Sequence, residues 1–264
     1  MKRLLSTILF FSAMLVAYAG SVNIVLPKKA TNRVEYAAEY LQKKLSQQGI
    51  TVSVTKNGKT DKKAQHYVYL SVSKNSSALK KEGFEITTAA KTTKQGSSTK
   101  VTIVGNDGTG CIYACNELAE QIKKKGIQNL PASIKDAPEM VLRGGCIGVQ
   151  KPYLLPGRMV YEYPYTPELF PWFYDKQQWI EYLDMLVDNR MNSVYLWNGH
   201  PFASLVKLPD YPYAVEVDDA TFEKNKEIFA FLTKEADRRG IFVIQMFYNI
   251  LVSKPFAEHH KIRT

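Results

Sequence analysis

The run Trp197-Asn198-Gly199-His200 puts a large aromatic ring, an amide and an imidazole within four residues. An indole can stack on the apolar face of a sugar, while the amide and imidazole hydrogen-bond its hydroxyls. Gln245-Met246-Phe247-Tyr248-Asn249 offers two more amides, Gln245 and Asn249, around apolar and aromatic residues. Arg143 stands before Gly144-Gly145. Its guanidinium can make two hydrogen bonds to adjacent hydroxyls, and glycines let a ligand or another backbone come close. The candidate substrate-binding residues are therefore Arg143, Trp197, Asn198, His200, Gln245 and Asn249. Each run also has a plainer reading: a packed loop with a surface histidine, core packing for Met246 and Phe247, or an arginine paired with an acid. A further set, Tyr153, Tyr161, Tyr163, Tyr165, Trp172, Phe173 and Tyr174, could line a glycan cleft or cover a domain.

Cleaving a glycosidic bond takes two carboxyl groups. The acids around these runs are Glu162, Glu168, Asp175, Asp210, Glu216, Asp218, Asp219 and Glu258. Asp175, Asp218 and Asp219 precede helical patterns and read as caps. None falls at a strand end, so no catalytic residue is assigned. The turn Gly105-Asn-Asp-Gly-Thr-Gly110 has neither dinucleotide nor P-loop spacing, and no cofactor is expected. Cys111, Cys115 and Cys146 are too few and too odd in number for a disulfide framework. No histidine lies near them in sequence, so no metal is expected and buried packing is the reading of Cys111 and Cys115.

The elements that must position these residues follow from periodicity. Residues 22–26 read as a strand, and Asn32 is the expected cap of a helix with Glu35 as its reciprocal partner. Val34, Ala37, Ala38, Leu41 and Leu45 make its apolar stripe. Strands follow at 50–54 and 66–72. Residues 84–87 and 101–104 read as a hairpin joined by a long polar turn, 88–100. A helix then spans about 111–124. Residues 131–141, with Pro131 and Pro138, read as a linker. From Leu142 the rhythm becomes β-α-β-α-β: strands at 142–149, 192–197 and 241–247, separated by helices begun at Asp175 and striped by Phe222, Phe229, Leu232 and Ala236. That alternation means a parallel sheet, doubly wound or barrel. Near-continuous apolar strands and elaborated, aromatic-rich loops after them favour the barrel. A whole barrel takes about 250 residues, so 142–264 reads as its first half, with catalytic carboxylates expected beyond Thr264.

The chain has 264 residues and a formal charge of +10. The lysines are scattered and do not interleave with aromatics, so no nucleic-acid partner is expected. Lys2-Arg3, the apolar stretch Leu4–Val16 and Ala17-Tyr18-Ala19 form a secretory signal pattern, with a mature chain beginning near Gly20. The apolar stretch is shorter than the ~20 residues of a membrane span. The expectation is an exported protein, periplasmic or extracellular, without a membrane span.

The segments Asn32-Arg-Val-Glu-Tyr-Ala-Ala-Glu-Tyr-Leu-Gln-Lys-Lys-Leu45 and Val104-Gly-Asn-Asp-Gly-Thr-Gly-Cys-Ile-Tyr-Ala-Cys-Asn-Glu-Leu118, with a hairpin between, resemble the non-catalytic α/β domain that precedes the barrel in α-glucuronidases and β-N-acetylhexosaminidases. Arg143-Gly144, Asp188-Asn-Arg-Met-Asn192 and Arg239-Gly240-Ile241 are similar to their first barrel units. Beside the signal pattern (1–19) and the linker (131–141), the resemblance implies an α/β domain (20–130) and the start of a (β/α)8 barrel (142–264). It implies a hydrolase of O-glycosidic bonds with an oligo- or polysaccharide substrate, and places Arg143 at the first-strand sugar-binding arginine. Tyr195-Leu-Trp197-Asn departs from the His-Trp-His run of hexosaminidases. In those families the acids come from the fourth strand or later. A non-catalytic glycan-binding or vestigial module is the alternative.

Overall fold

The computed structural model describes residues 20–73, 79–93, 96–149, 164–197, 202–246 and 252–262. The signal pattern lies outside them. The chain divides into two compact units between Val141 and Leu142.

The first unit is built on a mixed sheet of six strands: β1 (Val22–Val25), β2 (Val52–Thr55), β3 (His66–Val72), β4 (Phe84–Thr93), β5 (Gly96–Gly105) and β6 (Ser133–Asp136), in the order β2-β1-β3-β5-β4-β6. β1, β2, β3 and β5 run parallel, and β4 is antiparallel to β5 and β6. Helices α1 (Asn32–Gln47) and α2 (Gly108–Lys125) pack on each other and on the sheet. Strand alternation makes this arrangement possible. Along β3, His66, Val68 and Leu70 are buried, while Tyr67 and Tyr69 lie on the opposite, partly open face. Between the helices, Asn116 Nδ2 donates to Tyr40 Oη at 2.8 Å, so the polar groups in that seam are satisfied.

Three local expectations change. Thr31, not Asn32, caps α1, its hydroxyl accepting from Val34 N. Glu35 then pairs with Lys56 at 2.7 Å instead of closing a capping box. The stretch 88–100 is not a long turn: β4 and β5 stay in register from Phe84↔Gly105 to Thr93↔Gly96. Its Thr and Ser residues suit a strand pair that faces water, because β-branched residues favour strands even when polar. Within the stretch read as linker, Ser133–Asp136 adds an edge strand to β4.

The second unit carries a three-stranded parallel sheet, β7 (Gly144–Gly148), β8 (Ser193–Trp197) and β9 (Phe242–Met246), in sequential order. Helix α3 (Lys176–Asp188) crosses from β7 to β8, and α5 (Asp219–Arg238) crosses from β8 to β9. Asp175 caps α3 as expected, its Oδ1 accepting from Gln177 N and Gln178 N, and Asp218 caps α5 by accepting from Thr221 N at 2.7 Å. Short elements fill the crossovers: 3-10 turns at Pro171–Tyr174 and Pro212–Ala214, and helix α4 (Phe202–Leu205). Helix α6 (Lys254–His259) follows β9.

Register assigns the two sheet faces. Val194 and Leu196 are fully buried and stand level with Val243 and Gln245 on β9 and with Gly145 and Ile147 on β7. This is the helix-covered face: a side-chain carbon on Gly145 would meet Tyr182 Oη of α3 at 2.7 Å. Ser193, Tyr195 and Trp197 take the other face. Under the helices, Tyr165 stacks on Phe173 and Phe229 and meets Phe170 edge-on. Asn225 ties this cluster together. Its Nδ2 donates to the Tyr165 and Ser204 carbonyls at 2.9 Å each, and its Oδ1 accepts from Tyr174 Oη.

Candidate functional site

In a parallel α/β sheet, ligands bind at the carboxyl ends of the strands, where loops diverge. Trp197 is the last residue of β8 and stands level with Gly148 and Met246. A side-chain carbon on Gly148 would lie 3.7 Å from Trp197 Cε3, so the absence of one leaves the indole room above β7. Trp197 is 36% exposed, on the face the helices leave open.

The other candidates separate. Gln245 sits one residue before the end of β9 but on the helix-covered face, with Nε2 3.4 Å from the Leu196 carbonyl. Its Oε1 is buried and has no hydrogen-bond partner among the described residues. Arg143 lies at the opposite end of the sheet. Its Nε donates to the Arg190 carbonyl at 3.0 Å, its backbone N donates to Asn192 Oδ1 at 2.8 Å, and its carbonyl accepts from Asn192 N and Ser193 N. These bonds knit the starts of β7 and β8. Asn198, His200 and Asn249 lie outside the described residues, as do Tyr153, Tyr161 and Tyr163. The described aromatics of the same loop turn inward: Tyr165 and Phe173 are buried, and Trp172 borders a cavity of about 250 Å³ with Ile147, Gln178, Trp179 and Tyr182.

Several of the described acids have structural roles, and Glu216 Oε1 accepts from the backbone N of Lys254 at 2.6 Å. Asp175 and Asp218 cap helices, Asp219 pairs with Lys207, Glu258 lies 3.8 Å from Lys254, and Asp184 and Glu235 flank Arg239. Glu168 is exposed, and with burial it raises the Tyr174 phenol above its usual range. Among the described residues no three His, Cys, Asp or Glu side chains gather as a metal site. The Cys111 thiol is pushed up to about 12 chiefly by burial, and its Sγ donates to the Ser71 carbonyl at 3.3 Å. Complete burial also raises the Cys115 thiol well above its ordinary value. Neither is a nucleophile near neutral pH.

One constellation escaped the sequence reading. Tyr211 and Tyr213, on the segment after β8, meet Phe256, His259 and His260, on the segment after β9. The repeated Tyr-Pro-Tyr and the His-His pair were visible, but nothing in their spacing placed them together.

Residues 11–137 match the family model described as glycosyl hydrolase family 20, domain 2. A solved GH138 enzyme targeting pectin rhamnogalacturonan II is 52% identical over 92% of this chain, with a TM-score of 0.77. The chain is related to glycoside hydrolases. It spans 33% of that enzyme and 31% of the chitobiase of Flavobacterium johnsoniae, to which it is 17% identical with a TM-score of 0.50 over 86% of its own length. At that identity the chitobiase likeness shows fold alone. No curated protein matches the chain. The α/β domain of the first unit thus has the family 20 domain 2 fold, as the resemblance implied. No helix of the described residues is long and apolar enough to cross a membrane.

Proposed function

We propose that this chain is the N-terminal part of an exported glycoside hydrolase that acts on a pectic glycan. In this reading the first unit is a non-catalytic α/β domain, and β7, β8 and β9 are the first three strands of a (β/α)8 barrel. The observation that carries it is the 52% identity to the GH138 enzyme across both units. Sequential parallel order, β7-β8-β9, with a helical crossover each time, supports the barrel. The substrate reading favours pectin over chitin-type glycans for the same reason: identity to the chitobiase is only 17%.

The chemistry would be protonation of the leaving oxygen by one carboxylic acid while a second carboxylate acts as base or nucleophile. Trp197 would stack on a sugar at the mouth of the barrel. Both catalytic carboxylates would come from later strands, as the family resemblance implies, while Asp175 and Asp218 cap helices and Asp219 and Glu258 face lysines. Export would follow the leader pattern at residues 1–19.

The deciding experiment incubates the full-length protein, with the later strands that would carry the carboxylates, with oligosaccharides from rhamnogalacturonan II and, separately, with β-N-acetylhexosaminides, and measures released reducing sugar. Release from the pectic substrate alone is expected. Release from the hexosaminide alone would replace the substrate reading, and silence on both would overturn the hydrolase reading.

A further inference from the structure

The segments that leave β8 and β9 are joined by a cluster of rings. Tyr213 Oη lies 2.7 Å from His260 Nε2, across 47 residues of chain. The Tyr213 ring stacks on His259, centroids 3.9 Å apart and planes 23° from parallel. Phe256 packs against His260 at 4.4 Å and against Tyr211 at 5.7 Å. Below them the backbone N of Lys254 donates to Glu216 Oε1 at 2.6 Å, so the two segments are fastened by more than the rings.

This cluster is not a buried core. Tyr211 is 41% exposed, and His259 and His260 are both exposed. Apolar rings that meet in water, rather than lying scattered singly, are the kind of surface that interaction sites use. Its chemistry is specific: flat apolar faces beside imidazole nitrogens that donate or accept, which is the mixture that holds a pyranose ring by stacking and by its hydroxyls. Its place agrees, since both segments begin at the carboxyl ends of parallel strands.

We infer that Tyr211, Tyr213 and the His259–His260 pair form a carbohydrate-binding subsite that takes a pyranosyl residue of the substrate glycan. Tyr211 supplies the stacking face, and His259 the hydrogen bond to a ring hydroxyl. Tyr213 and His260 hold each other and fix the distance between the two loops. The inference rests on the glycoside hydrolase reading above, but it concerns residues that are separate from the cleavage step.

The test is isothermal titration of the intact protein with oligosaccharides from rhamnogalacturonan II, comparing wild type with Tyr211→Ala, Tyr211→Phe and His259→Ala, each checked for its thermal unfolding midpoint. Tyr211→Ala and His259→Ala are expected to weaken binding about tenfold, the scale of one aromatic contact, with midpoints unchanged. Tyr211→Phe is expected to keep the affinity. Wild-type affinity in both alanine variants would overturn the subsite and leave the enzyme reading standing. So would lowered midpoints with unchanged affinity, because the cluster would then only pack loops. Absence of binding by the wild type would overturn both readings. His259 is exposed, so its variant reads the subsite even if Tyr211→Ala fails to fold.

Discussion

The guanidinium of Arg239 lies 2.9 Å from the carboxylate of Asp184, across 55 residues, and joins the last turn of α5 to α3. Arg239 is 4% exposed, and its other arm reaches Glu235 at 2.6 Å. Two crossover helices of successive parallel strands are thereby clamped at one level. Removing Arg239 takes this ion pair from Asp184 and leaves Glu235 with Arg238 at 3.6 Å, at a cost of up to about 3–5 kcal/mol. Arg239→Met is therefore expected to lower the unfolding midpoint strongly in urea or heat, and Arg239→Lys to recover only part, since an ammonium cannot fork to both acids. A midpoint unchanged in Arg239→Met would show that the clamp contributes nothing.

Gly144 is the tightest point of the second sheet. A side-chain carbon there would sit 1.8 Å from the Ser193 carbonyl oxygen. That neighbour is backbone in a paired strand and cannot swing aside. Gly144→Ala is expected to destabilise the unit by more than about 3 kcal/mol, well above the usual range for a single methyl. Gly148→Ala, where the nearest atom is 3.7 Å away in the Trp197 side chain, should cost far less. Equal unfolding midpoints for the two variants would contradict the strand register described above.

His66 is fully buried at the start of β3. Its Nδ1 accepts from Thr99 N at 3.1 Å, and its Nε2 has no hydrogen-bond partner among the described residues. Burial lowers its pKa below the ordinary 6.5. The unfolded chain then binds a proton that the folded chain refuses. The contribution of His66 is present above 6.5 and is lost as pH falls through the lowered value. Wild-type stability should fall as pH drops below 6.5, and His66→Gln, whose amide oxygen can still accept from Thr99 N, should show a shallower slope there. Parallel slopes, followed by thermal melts across that range, would rule out this origin.

Cys111 and Cys115 should resist thiol reagents while the protein is folded. Burial raises both thiols, and access is closed as well. Cys146 is exposed on β7. Titration with a chromogenic disulfide near neutral pH is expected to label Cys146 quickly and the helix pair only after addition of denaturant. Rapid native labelling in a Cys146→Ser variant would show that α2 opens far more readily than its packing implies.

Much of the architecture could be read from periodicity alone. The stripe of α1, the buried positions Trp179, Leu183, Leu186 and Val187 of α3, and the caps Asp175 and Asp218 are local: hydrophobic spacing and short-range hydrogen bonds decide them within a few residues. The outer halves of strands 84–93 and 96–105 read as a turn because their run of Thr, Ser and Lys carries little apolar alternation. Asn225 interrupts the stripe of α5 with a buried amide, which no hydrophobic pattern announces.

The sequence by itself determined that Trp197, Gln245 and Arg143 belong to the ends of short parallel strands, because strand length and alternation are written in neighbouring residues. Only the tertiary structure decided what those ends mean. Pairing register turned Trp197 to the open face and Gln245 toward the helices, and chain direction carried Arg143 to the far end, where the Arg190 carbonyl and Asn192 hold it. It also brought Tyr213 to His260. That contact joins the segments that follow β8 and β9, and a separation of 47 residues leaves no trace in local pattern.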